Sequence, residues 1–136
     1  MVDVSAAAQR FLEDRPTATL GTLRKDGSPQ ASVVWYLWED GEFIISTIHT
    51  TAKWHNLKRD PRSSVVVEDP ETGEMVVAYG RARLDDRDVR TRTRDLVDKY
   101  YDDSAKTDAH MERIFATPDR VLIFVRPDEL ITRRLD

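Results

Sequence analysis

The amino-acid sequence predicts a small, mainly β protein in which antiparallel strands close into a barrel, with a few peripheral helices. Two Asp-Gly turns, Asp26-Gly27 and Asp40-Gly41, follow each other closely, which is typical of an antiparallel meander. Short segments rich in Val, Ile and Thr recur about six times along the chain. Because short turns rather than regularly alternating helices join these segments, a small barrel is favoured over a doubly wound sheet.

Length and composition indicate one globular domain, residues 1–136. Hydrophobic residues make up 40% and charged residues 34% of the chain, a balance typical of soluble folded proteins. The net charge of −4 argues against a general nucleic-acid binder. The absence of cysteine excludes disulfides and thiolate sites. Without a membrane-spanning apolar run or a signal-like N-terminus, the sequence predicts a cytoplasmic protein with no membrane partner.

The first elements along the chain are a helix and a hairpin. Apolar residues spaced by three and four positions predict an amphipathic helix over Asp3–Asp14, with Asp3 as its cap. A strand over Thr17–Arg24 turns at Asp26-Gly27 into a returning strand over Gln30–Glu39. Both faces of the returning strand are largely apolar. We therefore expect one face to line the barrel and the other to lie under another element or a partner chain.

The second half of the chain continues the same pattern of strands and inserted helices. Its predicted elements are strands over Arg62–Glu68, Glu74–Leu84 and Arg120–Arg126, an extension of the last strand over Leu130–Leu135, and helices over Asp85–Tyr101 and Asp108–Ala116. Gly80 inside a strand predicts a bend or bulge. The arginines of the first of these helices alternate with aspartates, which indicates a solvated face.

The segment Phe43–Leu57 carries the strongest functional pattern. A strand breaks at Thr50-Thr51 into a short helix that ends before Asp60-Pro61, with Lys53 in its first turn. Unpaired N–H groups at a helix start, hydroxyls and a lysine together suit a phosphate group. Threonines also cap helices routinely, so the local pattern fits an ordinary helix start as well.

Other classes of site find little support in the sequence. The chain has three histidines: His49, His55 and His110. Their spacing matches no zinc motif, so no metal site is expected. No serine lies in a Gly-x-Ser-x-Gly motif, and no glycine-rich phosphate loop is present. Trp35, Tyr36 and Trp38 suit either the wall of an aromatic ligand site or the packing of a core or a dimer.

Short motifs follow one another in a recognisable order along the chain. They are T-L-x-x-D-G-x-P-Q at Thr22–Gln30, a strand ending in T-x-A-K at Lys53, N-L-x-R-D-P-R at Asn56–Arg62, G-R-A-R at Gly80–Arg83 and a closing R-V-L-I strand. In this order they resemble the deazaflavin-dependent branch of the pyridoxamine-phosphate-oxidase-like split-barrel superfamily. The resemblance implies a six- to seven-stranded antiparallel split barrel that works as a homodimer, with two cofactors in grooves at the dimer interface. The long C-terminal segment of the pyridoxamine phosphate oxidases has no counterpart here, so vitamin B6 oxidation is not expected.

The same resemblance implies where the cofactor binds. Its phosphate would be held by Lys53, Thr50 and Thr51, its ribityl chain lined by Ser46 and Thr47, and its ring placed beside Gln30, Ser32, Val33 and Val34, with Trp35 and Tyr36 near the far end of the ring or the substrate. Relatives often carry arginine at the position of Thr51, so the phosphate would depend more heavily on Lys53.

The function implied by the resemblance is hydride transfer from reduced coenzyme F420 to a small conjugated acceptor such as an enone or a quinone. The cofactor supplies the reactivity, so no catalytic side chain is strictly required. Tyr36, Tyr79 and His49 are candidate proton donors, although a structural role is favoured for each. The alternatives are FMN in the same fold, a non-enzymatic carrier or sensor of the cofactor, and a haem-binding split barrel, which the scarcity of histidines disfavours.

Overall fold

The fold is a single curled sheet of seven antiparallel strands with four helices, as described by a computed structural model over residues 2–135. The strands are β1 (Ala18–Leu23), β2 (Pro29–Val34), β3 (Leu37–Glu39), β4 (Glu42–Ile48), β5 (Arg62–Glu68), β6 (Met75–Asp85) and β7 (Arg120–Arg133). The helices are α1 (Ala6–Asp14), α2 (Ala52–Arg59), α3 (Val89–Asp98) and α4 (Ser104–Ile114). The predicted mainly β, antiparallel fold is confirmed. The ends of the predicted domain, Met1 and Asp136, lie outside the described residues.

The connection between β2 and β3 decides the shape of the sheet. The strand order is β2-β1-β5-β6-β7-β4-β3, so β2 and β3 form the two edges. Only Trp35 and Tyr36 separate these two strands in the chain. The sheet must therefore curl until its edges meet, which makes a split barrel. The prediction of one continuous strand over Gln30–Glu39 is wrong, because the chain leaves one edge and joins the other at this point.

Side chains from the end of α3 and from α1 hold this connection in place. Tyr36 is fully buried, and its hydroxyl donates a hydrogen bond to the Leu12 carbonyl at 2.6 Å. Its backbone N–H donates to the Tyr100 hydroxyl at 3.0 Å, and its carbonyl accepts from Lys99 Nζ at 3.0 Å. The Tyr100 hydroxyl donates to the Pro16 carbonyl at 2.6 Å. These bonds replace the ladder bonds that a continuous strand would supply.

The interior of the curled sheet forms the main hydrophobic core. Inward-facing residues of all seven strands meet there, and Phe11 and Leu12 of α1 and Trp54 and Leu57 of α2 pack against them. Burial of this apolar area is the dominant favourable term in folding. None of the helices in residues 2–135 is long and apolar enough to cross a membrane.

The outer face of β4 and β7 is covered by the helical pair α3 and α4. Ile44, Leu122 and Phe124 form a second apolar cluster on this face, with Val89 of α3 packed against it. A third cluster joins the two helices through Leu96, Val97 and Met111. Arg92 of α3 is paired with Glu39 of β3 at 2.5 Å, so the arginines of this helix include structural ion pairs.

Local caps explain why two helices start later than predicted. The Ser5 hydroxyl accepts a hydrogen bond from the Ala8 N–H at 3.1 Å, so Ser5 caps α1 and Asp3 does not. The helix predicted from Asp85 begins only at Val89, because Asp85 still belongs to β6. Asp88 has a φ of 53°, a left-handed conformation that a helix cannot contain.

Two other boundaries also differ from the prediction. Helix α4 begins earlier than predicted because Asp103 accepts a hydrogen bond from a first-turn backbone N–H and acts as its cap. Strand β7 runs without a break past Pro127 to Arg133, so the predicted extension belongs to the same strand. The register between β6 and β7 shifts between Tyr79 and Gly80, which confirms the predicted bulge at Gly80.

The anchoring role of Tyr100 can be tested by removing its hydroxyl. Tyr100→Phe leaves the Tyr36 N–H and the Pro16 carbonyl without this partner, so the free energy of unfolding is expected to fall by about 1–3 kcal/mol. Urea denaturation followed by circular dichroism measures the change. Tyr79→Phe is the matched control, because Tyr79 is 45% exposed and is expected to stay within about 0.5 kcal/mol of the parent. Equal stability of the two variants would contradict the anchoring role.

The lowered pKa of Lys99 predicts that the stability of the protein rises with pH. Burial lowers its pKa from 10.5 to about 8, although the charge of Asp14 acts in the opposite direction. Between about pH 8 and pH 10 the unfolded chain therefore binds more protons than the folded one, and stability increases with pH. Burial raises the pKa of Tyr100 to about 12, which reverses the trend above about pH 10.

We expect Lys99→Met to reduce this rise, because methionine retains much of the aliphatic packing and does not titrate, while Lys53, whose pKa is also lowered, retains its own contribution. Urea midpoints of the parent and the variant, measured at intervals across this pH range, provide the comparison. The interpretation is wrong if both proteins show the same slope.

Candidate functional site

The start of α2 presents an anion-binding geometry. Strand β4 ends at Ile48, and Thr51 occupies the N-cap position of α2 without making a side-chain cap bond. The Thr51 hydroxyl instead donates to the Ile48 carbonyl at 2.9 Å, and the Thr47 hydroxyl lies 3.3 Å from that of Thr51. The first-turn N–H groups thus have no side-chain acceptor, and the positive end of the helix dipole is open to an anion.

Two half-buried cations lie close to this helix start. Arg120 begins β7 and is paired with Ile48, so it reaches the end of β4 where α2 follows. Burial is the largest cause that lowers the pKa of Lys53, and the charge of Arg120 is the second. Burial also lowers the pKa of Arg120, against the opposite effect of Asp119. Within residues 2–135, neither Lys53 nor Arg120 takes part in a salt bridge.

One buried N–H donor of Arg120 has no hydrogen-bond partner among the residues described. Its Nη1 donates to the Ser46 hydroxyl at 3.3 Å, and that hydroxyl lies 2.8 Å from the hydroxyl of Thr93 on α3. Its Nε is buried and has no hydrogen-bond partner among the residues described. A buried donor without a partner costs free energy, so the guanidinium of Arg120 is held here at a cost that the described residues do not offset.

A cavity of about 230 Å³ adjoins Ser46 and Arg120, between the outer face of β4 and β7 and the helical pair. We call it the α3–α4 cavity, and its lining residues are Trp35, Ser46, Thr93, Leu96, Val97, His110, Ile114 and Arg120. The Trp35 indole stacks on the Tyr100 ring, with centroids 3.9 Å apart and planes 10° from parallel. The His110 ring lies 5.4 Å from the indole at an interplanar angle of 24°. One wall of the cavity is therefore aromatic.

The predicted residues of β2 lie on two faces of an edge strand. Gln30 Oε1 accepts a hydrogen bond from Nδ2 of the buried Asn56 at 2.8 Å, which ties β2 to α2. Ser32 is half-buried further along the strand. Val34 packs in the barrel core, whereas Val33 is 74% exposed on the opposite face. Since neighbouring strand residues alternate in direction, these two side chains cannot share one ligand surface within a single subunit.

Only part of the phosphate-side prediction comes together. Thr47, Thr51 and Lys53 lie at the junction of β4 and α2, and Thr50 is exposed in the same turn. Ser46 lies on the opposite face of β4 from Thr47, toward Thr93 of α3. Trp35 lies across the α3–α4 cavity from this junction and shares that cavity with Ser46. The assignment of these residues to a cofactor stays a prediction.

Three further residues of the candidate site were not predicted from the sequence: Arg120, His110 and Thr93. Arg120 opens an apolar strand and looks like an ordinary solvated residue until β7 pairs with β4. His110 and Thr93 lie on separate helices that only tertiary packing brings to one cavity. For Arg120 the sequence contained only a weak signal: the arginine begins a strand, and no acidic residue lies three or four positions away from it.

The suggested proton donors have different accessibilities. The Tyr36 hydroxyl is buried and donates to the Leu12 carbonyl, so it is not available to a ligand. Tyr79 is exposed on the outer face of the sheet, away from the cavity, and His49 is exposed beside the start of α2. No group of three histidine, aspartate or glutamate side chains in the described part of the chain could hold a metal ion.

Solved structures share this fold over most of the chain. A conserved hypothetical protein from Mycobacterium tuberculosis is 26% identical, with a TM-score of 0.79 over 96% of this chain and 84% of its own. A protein described as an F420 reductase is 23% identical, with a TM-score of 0.75 over 94% and 98%. General stress protein 26 from Bacillus anthracis is 18% identical, with a TM-score of 0.68 over 94% and 92%. At these identities the last two show the fold alone.

The family assignment comes from the sequence itself. The sequence model of the family described as pyridoxamine 5'-phosphate oxidase matches residues 4–134. This match spans every helix and strand of the protein and agrees with the split barrel seen in the structure. The resemblance of the ordered motifs to this superfamily is thereby confirmed, and the chain belongs to the pyridoxamine 5'-phosphate oxidase family.

Proposed function

We propose that this protein is an oxidoreductase that uses coenzyme F420 and transfers a hydride between this deazaflavin and a small conjugated organic acceptor. The observation that carries the proposal is the pair of half-buried cations, Lys53 and Arg120, beside the uncapped start of α2. Neighbouring like charges that are partly removed from water raise each other's free energy. A bound phosphate would offset this cost by pairing with both positive charges.

A second group of basic residues favours F420 over FMN. Arg59 Nη1 lies 3.5 Å from the Leu23 carbonyl, so the end of α2 sits beside the β1–β2 turn that carries Arg24 and Lys25. Lys58 is exposed on the same end of α2. Beyond the phosphate that both cofactors possess, F420 has a further anionic tail, which these cations would attract. FMN is the second candidate, because its phosphate suits the α2 site equally well.

The chemistry would come from the cofactor, whose reduced ring supplies a hydride. The chain would supply binding and orientation. Lys53 and Arg120 would hold the phosphate, Ser46 on the outer face of β4 would border the linking chain, and the Trp35 side of the α3–α4 cavity would receive the flat acceptor. A non-enzymatic carrier is the competing role, and turnover separates the two, since a carrier would bind reduced F420 without oxidising it across an acceptor panel.

We also propose that the protein forms a homodimer through the outer face of its sheet. The strand register places Val33, Thr19, Val66, Val77 and Ile131 in one row across five strands. Val33 is 74% exposed and Ile131 is 49% exposed at the two ends of this row. A contiguous apolar stripe of this kind is typical of an interaction surface. A partner seated there would lie against the Val33 face of β2.

The central test of the proposal is Lys53→Ala. Loss of a charged hydrogen bond to phosphate costs about 1.5–3 kcal/mol, so affinity for F420 is expected to fall roughly 10- to 100-fold while the fold is retained. Fluorescence titrations with F420 and FMN, side by side, measure the affinities of both cofactors. Lys106→Ala is the control, because Lys106 lies exposed on α4 and pairs with Asp102. Unchanged affinity in Lys53→Ala would refute the phosphate site.

The dimer surface is tested by placing a charge on it. Val33→Glu would bury a carboxylate without a partner at the interface, so we expect the variant to be monomeric at concentrations where the parent is dimeric. Light scattering coupled to size-exclusion chromatography gives the mass of each. Thr91→Glu, on the exposed face of α3, adds the same charge elsewhere and should leave the dimer intact. A parent protein of monomeric mass would rule out the surface directly.

A further inference from the structure

His110 offers a directed hydrogen-bond donor at the α3–α4 cavity. Its Nδ1 lies 3.0 Å from Arg113 Nη2 and 2.9 Å from the Tyr101 hydroxyl. An arginine can only donate, so Nδ1 must be the acceptor and the ring proton must reside on Nε2. Burial is the main cause that lowers the pKa of His110, and the charges of Arg113 and Arg120 add to it. The ring is therefore neutral at pH 7, with one N–H at Nε2.

The Nε2 donor of His110 has no hydrogen-bond partner among residues 2–135. In residues 2–135 no hydrogen bond involves His110 Nε2, although two groups hold the opposite side of the ring. Tyr101 and Arg113 fix the orientation of the imidazole, which is the usual way in which a second shell prepares a donor for a ligand. The histidine is thus oriented at a cavity wall with its donor unused.

The rest of the cavity selects a flat, mainly apolar molecule. Leu96, Val97 and Ile114 form its apolar side, and Trp35 provides an aromatic surface. Its volume of about 230 Å³ is below the ~300–1,000 Å³ of pockets for drug-sized ligands, so it suits a molecule of one or two rings better than a whole cofactor. Arg120 lines this cavity and belongs to the proposed phosphate site, and Ser46 lines the cavity and borders the proposed path of the linking chain, so a ligand here would lie next to the cofactor.

We propose that the α3–α4 cavity is the acceptor subsite, and that it binds a planar conjugated carbonyl compound whose oxygen accepts a hydrogen bond from His110 Nε2. This inference rests on the proposed function for its role, but the subsite itself can be tested without any cofactor. When a hydride arrives at the conjugated carbon, negative charge develops on the carbonyl oxygen. A fixed, neutral N–H donor stabilises that charge, and solvent then supplies the proton.

The test uses the cofactor-free protein with histidines labelled with ¹⁵N. Acetophenone is the probe, and α-methylstyrene is its matched control, because it has the same skeleton with CH₂ in place of the carbonyl oxygen. We expect acetophenone to shift the Nε2 resonance of His110 and α-methylstyrene to leave it nearly unchanged. His110→Phe should weaken acetophenone binding about three- to tenfold, as expected for one lost neutral hydrogen bond. His55→Phe, exposed on α2, should leave binding unchanged.

Two results would overturn the subsite. One is an equal response of His110 to both probes, which would mean that the carbonyl oxygen is not recognised. The other is displacement of acetophenone by saturating F420, which would mean that the cofactor occupies the cavity. Because the ¹⁵N titration uses the native chain, it decides the question even if His110→Phe does not fold. Carbonyl-dependent binding in a protein that fails to bind F420 or FMN would refute the proposed function and leave the subsite standing.

Discussion

The two-residue connection at Trp35-Tyr36 is the constraint on which the rest of the structure depends. A seven-stranded sheet whose edge strands are separated by only two residues cannot stay open, because the chain from Val34 to Leu37 spans at most about 10 Å. Curling the sheet buries one face as a core but leaves the peptide groups of the connection without strand partners. Tyr100 and Lys99 supply those partners, so the end of α3 is part of the barrel closure.

The same constraint builds the candidate site. Since successive residues of an extended chain face opposite sides, burying Tyr36 inside the barrel leaves Trp35 on the outside, where it stacks on Tyr100. The strand order of the sheet places β4 and β7 side by side, and their register sets Arg120 opposite Ile48, immediately before the α2 junction. The aromatic wall and the second cation therefore come from barrel geometry, whereas the uncapped helix start comes from local sequence.

The difference between local sequence signals and tertiary geometry explains which features could be predicted from the sequence. Turn residues and apolar alternation are local signals, so the Asp-Gly hairpins, the bulge at Gly80 and the strand-to-helix junction near Thr51 were all predicted. The break after Val34 was not, because the alternation of side chains continues through it and only the strand order reveals it. Arg120 was not predicted as a site residue for the same reason. Its spatial neighbour Lys53 lies far away in the sequence, and only the pairing of β7 with β4 brings the two together.

The electrostatics of the site argue that its arrangement is not simply structural. Two other half-buried arginines are paired with carboxylates: Arg15 with Asp69 at 3.0 Å, and Arg92 with Glu39 at 2.5 Å. Lys53 and Arg120 would be easier to bury if an acidic side chain lay between them, yet the surrounding groups from β4 and α3 are neutral hydroxyls. Hydroxyls orient a guanidinium without cancelling its charge. Such a site retains its attraction for an anion, which a carboxylate in the same place would abolish.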